Sequence, residues 1–204
     1  MTVIAWTCVG CALAVVFVRR RSTAIGFVTL QSLLLAAAAF ARAPARSPEF
    51  LVASGALLLK ALAVGALLVW SVRRTREPQP IVNDVSAIIR LSLAVVIALV
   101  AAATVPGFGS GAPSAEHAAI ALVAIGITIT ALRRATLLQA LGLLVAENGV
   151  ATIATAARGG VPLLIELGAV FDLMIIIAIA TAFHSRIFGE FGSGDATALK
   201  GLRD

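Results

Sequence analysis

The sequence predicts an all-α, polytopic membrane protein, a bundle of about seven transmembrane helices with its N-terminus outside and its C-terminus in the cytoplasm. Hydrophobic residues make up 60% of the 204 residues, charged residues make up only 13%, and the mean hydropathy is +1.05. Soluble domains carry about 45–50% apolar and about 25% charged residues. So few charges cannot cover a globular surface, which excludes a water-soluble domain.

Seven apolar segments approach or reach the length of a spanning helix, which needs about 20 residues, with a range of roughly 17–25. They cover residues 3–18, 23–41, 50–72, 87–105, 118–132, 135–157 and 161–183. Pro48 is predicted to lie in the second loop and Pro113 in the fourth. Pro162 falls in the first turn of the seventh segment, where its missing N–H costs nothing, and no proline lies in the interior of a predicted span. Arg19, Arg20 and Arg21 follow the first segment. Because a signal peptide has its basic residues in front, this segment is expected to stay in the protein.

The distribution of Lys and Arg predicts the orientation. With the N-terminus outside, twelve of the sixteen Lys and Arg residues fall on the cytoplasmic side and three on the outer side. The cytoplasmic set consists of Arg19, Arg20, Arg21, Arg73, Arg74, Arg76, Arg90, Arg133, Arg134, Arg186, Lys200 and Arg203. Positive charge favours the cytoplasmic side of a membrane. The net charge of +6 therefore needs no nucleic acid as a partner.

Cofactor and metal sites have no signature in this sequence. Cys8 and Cys11 lie one helical turn apart in an apolar segment and fit small packing residues better than redox partners. Phosphate-binding glycine loops, paired CxxC motifs and hydrolase nucleophile elbows are absent. We therefore expect no cofactor, no metal and no catalytic centre in this chain. Gly142 and Ala146 form a small-xxx-small pair, which predicts close helix packing.

The most informative residues are the charges inside the predicted spans. Lys60, Glu147 and Asp172 lie about 15–18 Å from the start of their segments at a rise of about 1.5 Å per residue, which is near the middle of a hydrocarbon core about 30 Å thick. Glu166 lies about 8 Å deep. A charge at the bilayer centre costs about 2.5–3.5 kcal/mol, so such residues are functional candidates. Their depths predict a lateral proton path.

These charges also fit a structural interpretation. Lys60 could pair with Glu147 or Asp172 and hold the bundle together, or it could pair with a neighbouring subunit. Three amides are further polar groups within the spans that could orient water or side chains: Asn148, Gln139 and Gln31.

The last ninety residues carry a resemblance. The segment LLVAENG (143–149), then IELG (165–168) followed by Phe171 and Asp172, and the tail with FGSGD (191–195) and LKGLRD (199–204) resemble the hydrogenase-4 component E family. The resemblance covers residues 116–204. That family is similar to the three-helix K subunit of respiratory complex I and to the C subunit of multi-subunit cation/proton antiporters. By this resemblance Glu147 matches the first of two membrane carboxylates, and Asp172 or Glu166 the second.

The resemblance implies a domain division and a role. Residues 1–115 would form the first four helices, residues 116–184 a K-subunit-like three-helix unit, and residues 185–204 a cytoplasmic tail. The chain would be a non-catalytic subunit of a complex-I-like hydrogenase of the formate hydrogenlyase type in a prokaryotic cytoplasmic membrane. It would link the membrane anchor to antiporter-like subunits. Three other classes stay open: a C-type subunit of a Na⁺/H⁺ antiporter, a scaffold subunit and a stand-alone solute transporter.

Overall fold

A computed structural model describes residues 1–42, 48–75, 86–107, 109, 112–133, 135–156, 177–178 and 181. These residues form six helices, with residues 177, 178 and 181 also helical. The six are α1 (Thr2–Phe17), α2 (Arg21–Arg42), α3 (Pro48–Thr75), α4 (Ala87–Thr104), α5 (Pro113–Leu132) and α6 (Thr136–Ala156). The described part of the chain is all-helical, as predicted.

Five of these helices, α2 to α6, are long and apolar enough to cross a membrane. The sixth, α1, is apolar but has only 16 residues. The chain therefore has the character of a multi-pass membrane protein. Each of the first six predicted segments overlaps one helix, whereas most of the predicted seventh segment, residues 161–183, lies outside the described residues.

Two predicted boundaries are wrong, and both errors involve a proline. Pro48 and Pro113 were assigned to loops, but each is the first residue of its helix. A first-turn N–H has no partner within its helix, so the missing N–H of proline costs nothing there. The fifth span accordingly starts at residue 113 and not at 118, and α5 is 20 residues long.

Helix α4 begins after Ser86, whose Oγ accepts a hydrogen bond from the backbone N–H of Ile89.

Four helices form the centre of the bundle. Helices α1, α2, α6 and α5 pack in a closed ring, each against the next. Helix α3 packs on the outside of α2, and α4 packs against α5 and α1. Fully buried apolar side chains of the ring include Ile25 of α2, Leu122 and Ile125 of α5, and Leu141 and Leu144 of α6. This core positions the polar residues that α2 and α6 carry.

Helices α5 and α6 approach each other closely. A Cβ atom added to Gly126 would lie 2.7 Å from the Cα of Ala146 and 2.6 Å from the carbonyl oxygen of Gly142. Only hydrogen fits in that gap, so the two backbones can meet. The close packing predicted for Gly142 and Ala146 is confirmed.

Contacts at both ends show that α1 and α5 run parallel. At the N-terminal ends, the indole N–H of Trp6 donates to the Oγ of Ser114 over 3.0 Å. At the C-terminal ends, Arg133 reaches the last carbonyls of α1. Arg90 and Arg133, counted above on the cytoplasmic side, are only 2% and 3% exposed. Arg90 is the fourth residue of α4, and Arg133 directly follows α5, so both lie among packed helices.

Candidate functional site

The centre of the candidate site is an ion pair between α3 and α6. The ammonium of Lys60 donates a hydrogen bond to Oε1 of Glu147, and the side chains are 3% and 18% exposed. Glu147 is the twelfth residue of the 21-residue helix α6, so it lies near the middle of that helix. The sequence left Glu147 and Asp172 as possible partners of Lys60, and the structure places Lys60 on Glu147.

The second oxygen of Glu147 is in a different situation. Its Oε2 atom is buried and has no hydrogen-bond partner among the residues that the structure describes. A carboxylate has about four lone-pair positions, and the contact with Lys60 uses only one oxygen. Glu147 therefore keeps an acceptor site for a proton, a water or a further donor.

The residue after Glu147 belongs to a hydrogen-bonded network that joins α6 to α2 and α1. The amide nitrogen of Asn148 donates to Oε1 of Gln31 over 3.1 Å and to Oγ of Ser32 over 3.0 Å. Gln31 in turn donates through Nε2 to the carbonyl oxygen of Cys8 over 3.1 Å. Asn148 and Gln31 are 2% and 0% exposed. The network satisfies polar groups that would otherwise be buried without partners.

A small cavity lies beside Lys60 of the ion pair and Ser32 of this network. Its polar lining comes from Lys60, Ser32 and Thr29, and its apolar lining includes Val64 and Leu144. About 10 Å³ is available to the centre of a water molecule, which is room for about one water. Because Ser32 also bonds to Asn148, one water in this cavity could connect the network to the ammonium of Lys60.

The structure does not bring all of the predicted residues together. Gln139 lies at the turn between α5 and α6, where its Nε2 donates to the carbonyl oxygen of Arg133 over 2.9 Å. Gln139 is the fourth residue of α6, so this bond joins the first turn of that helix to the residue that follows α5. Glu166 and Asp172 lie outside the described residues. In the described ranges no group of three His, Cys, Asp or Glu side chains could hold a metal ion.

Sequence reasoning missed Ser32, Arg90 and the role of Arg133. A serine in an apolar segment is common, and only the fold shows that Ser32 faces Asn148. The signal for Arg90 was its position: the predicted fourth span began at residue 87, so Arg90 already fell inside it. Hydropathy cannot reveal that the guanidinium of Arg133 contacts a helix more than a hundred residues earlier in the chain.

The arrangement is suited to holding a proton within a packed bundle. In a low-dielectric environment the paired charges of Lys60 and Glu147 stabilise each other. Moving one proton from the ammonium to the carboxylate converts the charged pair into a neutral pair. The amides and hydroxyl beside it provide further donors and acceptors. This geometry serves a proton relay, and it serves equally as a clamp between α3 and α6.

Comparisons with known proteins give one relevant similarity. The uncharacterized protein Rv0085 of Mycobacterium tuberculosis is 31% identical to this chain over 181 residues, which cover 85% of this chain and 82% of the relative. No family model matches the chain, and no solved structure matches it.

Proposed function

The chain belongs to the family of the uncharacterized protein Rv0085 of Mycobacterium tuberculosis, and we propose that it is a non-catalytic membrane subunit of a complex-I-like hydrogenase. Its role is to link the membrane anchor to antiporter-like subunits and to contribute buried carboxylates to a proton path. Two things support this proposal: the resemblance of residues 116–204 to hydrogenase-4 component E, and the buried Lys60–Glu147 pair.

In this proposal the chain crosses a prokaryotic cytoplasmic membrane seven times, with residues 161–183 as the seventh span and residues 185–204 in the cytoplasm. Glu147 is the first proton-accepting group, and Asp172 or Glu166 is the second. Lys60 controls how readily Glu147 takes up a proton. Asn148 orients groups beside the pair, and Gln139 shapes the turn at the start of α6.

The observation that carries the relay is the unpartnered oxygen of Glu147. A carboxylate that served only as a clamp would be stabilised by donors on both oxygens, since an unsatisfied buried acceptor costs about 1–3 kcal/mol. Oε2 of Glu147 has no such donor in the described part of the chain. The nearby cavity has room for about one water, which can deliver or remove a proton.

The ion pair itself favours a second candidate, a scaffold subunit. Lys60 and Glu147 join α3 to α6, and breaking a buried pair costs about 3–5 kcal/mol. A scaffold needs the pair for assembly only. The two functions differ in what happens to proton translocation when the charge of Glu147 is removed while the complex stays assembled.

The first experiment identifies the complex. The full chain is purified from its native membrane in a mild detergent, and its partners are identified by mass spectrometry. A nickel-containing large subunit among them supports the proposal. Antiporter subunits without a hydrogenase would assign the chain to a cation/proton antiporter, and solute transport by the chain alone would assign it to a transporter. Either result contradicts the proposal.

The second experiment tests the relay in the purified complex reconstituted in vesicles. We expect Glu147→Gln to abolish coupled proton translocation while hydrogenase turnover continues. Glu116→Gln is the matched control, because Glu116 is also a buried glutamate but lies in the first turn of α5. It should leave coupling unchanged. Normal translocation by an assembled Glu147→Gln complex would establish the scaffold instead.

A further inference from the structure

A group of arginines lies at the end of the bundle where α1 and α5 end and α4 begins. Arg90 and Arg133 are almost fully buried there. Arg19 is exposed and lies two residues beyond the end of α1. Helix α4 packs against both α1 and α5, and the positive charge of Arg19 repels that of Arg90, as the charge of Arg90 repels that of Arg133. The three guanidinium groups therefore form one cluster, which we call the arginine cluster.

Arg133 has a structural role in this cluster. Its Nη2 atom donates to the carbonyl oxygens of Val15, Val16 and Val18 over 3.3, 2.9 and 3.3 Å. These are carbonyls at the end of α1, which has no further turn to satisfy them. Burial, and then the positive charge of Arg90, lowers the pKa of Arg133 to about 10. Arg133 thus stays close to a second cation at a cost in free energy.

Arg90 has no such partners. Its Nε and Nη1 atoms are buried and make no hydrogen bond to any residue that the structure describes. Of the carboxylates with described side chains, Glu147 pairs with Lys60 and Glu116 lies in the first turn of α5. Glu116 is about 26 Å from Arg133 along the axis of α5. Burying a guanidinium without hydrogen-bond acceptors costs free energy. We therefore expect the arginine cluster to bind an anion that lies outside the described residues.

The surroundings of Arg90 indicate what kind of anion fits. The positive end of the α4 dipole lies beside Arg90, at a helix N-terminus that Ser86 caps on one N–H. A guanidinium fork matches the oxygens of a phosphate group. Ile88 and Ile89, next to Arg90, are 72% and 60% exposed. In a membrane protein such exposed apolar side chains face acyl chains, so the first turn of α4 borders lipid on the side opposite the buried face that carries Arg90.

We propose that the buried guanidinium of Arg90, together with Arg19 and the N-terminus of α4, binds the phosphate of an anionic phospholipid headgroup. The lipid supplies the acceptor oxygens that Arg90 lacks and offsets the repulsion within the arginine cluster. Its acyl chains lie along the exposed apolar side of α4. This proposal does not depend on the proton path, because it uses a different end of the bundle and no residue of the Lys60–Glu147 pair.

The test uses the full chain, delipidated in mild detergent, with native mass spectrometry as the readout. Phosphatidylglycerol, phosphatidylcholine and inorganic phosphate are titrated separately. We expect the wild-type chain to bind one phosphatidylglycerol in preference to phosphatidylcholine. Binding of inorganic phosphate with equal affinity would support the phosphate site and assign it to a free anion. Binding of neither phosphatidylglycerol nor phosphate would overturn the proposal and favour a carboxylate from a partner subunit.

Variants locate the site. Arg90→Gln is expected to weaken phosphatidylglycerol binding roughly tenfold, because it removes a charge-assisted fork, and Arg19→Gln is expected to weaken it less. The matched control is Arg73→Gln, which removes an exposed arginine near the end of α3 and should change affinity by less than about twofold. An Arg73→Gln loss as large as that of Arg90→Gln would mean unspecific attraction and overturn the proposal.

A folding failure of Arg90→Gln would not leave the proposal untested. Arg90→Lys keeps the charge but loses the fork, so it should fold and bind more weakly than the wild type. Arg19→Gln changes an exposed residue and should fold as well. If both variants bind phosphatidylglycerol as tightly as the wild type does, the arginine cluster is not the site.

Discussion

Lys60 and Glu147 form a buried ion pair although 87 residues separate them in the sequence. Helix α3 packs mainly against α2, so this pair is its polar link to α6. Each charge is acceptable in the interior because the other is present. The energetic consequence is asymmetric, since losing one partner leaves an uncompensated buried charge and losing both does not.

Replacing Lys60 alone should therefore be more harmful than replacing the pair. We expect Lys60→Met to lower the free energy of unfolding by about 3 kcal/mol or more, and addition of Glu147→Met to restore most of the loss. Denaturant unfolding of the full chain in detergent measures both values. Arg73→Met is the control for loss of an exposed cation and should lie within about 0.5 kcal/mol of the wild type. A double variant no more stable than Lys60→Met would show that the pair is not the link.

Removing the side-chain amide of Asn148 should destabilise the protein, because this amide is the centre of the hydrogen-bonded network. Asn148→Leu removes the donor to Gln31 and Ser32, and we expect it to cost about 1–3 kcal/mol because buried acceptors are left unsatisfied. Addition of Gln31→Leu should cost less than the two single effects combined, as measured in a double-mutant cycle. Thr104→Val, at an exposed hydroxyl that bonds within its own helix, is the control. Additive effects of Asn148→Leu and Gln31→Leu would contradict a shared network.

Replacing either of two helical glycines by alanine should change the stability of the protein, but in opposite directions. At Gly126 the new methyl group would meet the backbone of Gly142 and Ala146, and we expect a loss of about 1–3 kcal/mol from overpacking. At Gly10 no atom lies within 4 Å of the new Cβ. Gly10→Ala should stabilise α1 by roughly 0.5–1 kcal/mol through helix propensity. Thermal unfolding of Gly126→Ala and Gly10→Ala measures both changes in stability. An equal effect at both positions would refute close contact between α5 and α6.

Arg133 should hold the end of α1 in place. Arg133→Met removes the donor to three carbonyls of α1, and we expect α1 to separate more often from the bundle. The buried thiols of Cys8 and Cys11 report this opening, since maleimide labelling should become several-fold faster than in the wild type. Arg133→Lys should be intermediate because an ammonium cannot reproduce the guanidinium fork. Unchanged labelling in Arg133→Met would show that the carbonyl contacts do not secure α1.

The helices were predictable from the sequence because apolar length is a one-dimensional property. Residues 87–105 were predicted as a span, and the helix covers Ala87–Thr104. The first residue of a helix was harder to predict where it is a proline, because proline is compatible with both a loop and a first turn. Pro48 and Pro113 are the two cases. The burial of Arg90 and Arg133 depends on which helices meet at one end of the bundle, and the sequence does not contain that information directly.

The candidate site was predictable in its residues but not in its pairings. A charge or amide in an apolar segment is visible at once, which is how Lys60, Glu147 and Asn148 became candidates. Depth along each helix narrowed the partners of Lys60 to two carboxylates, and only packing selected Glu147. The partner of Gln139 was not predictable either, because its side chain bonds to a backbone carbonyl at the turn before α6.

The shortness of α1 has a consequence for the surrounding bilayer. Its 16 residues extend about 24 Å at a rise of about 1.5 Å each, against a hydrocarbon thickness of about 30 Å. A crossing by α1 therefore leaves a hydrophobic mismatch of about 6 Å, which bilayers accommodate by thinning. The headgroup region is expected to dip beside this helix, and the protein should favour membranes with shorter acyl chains.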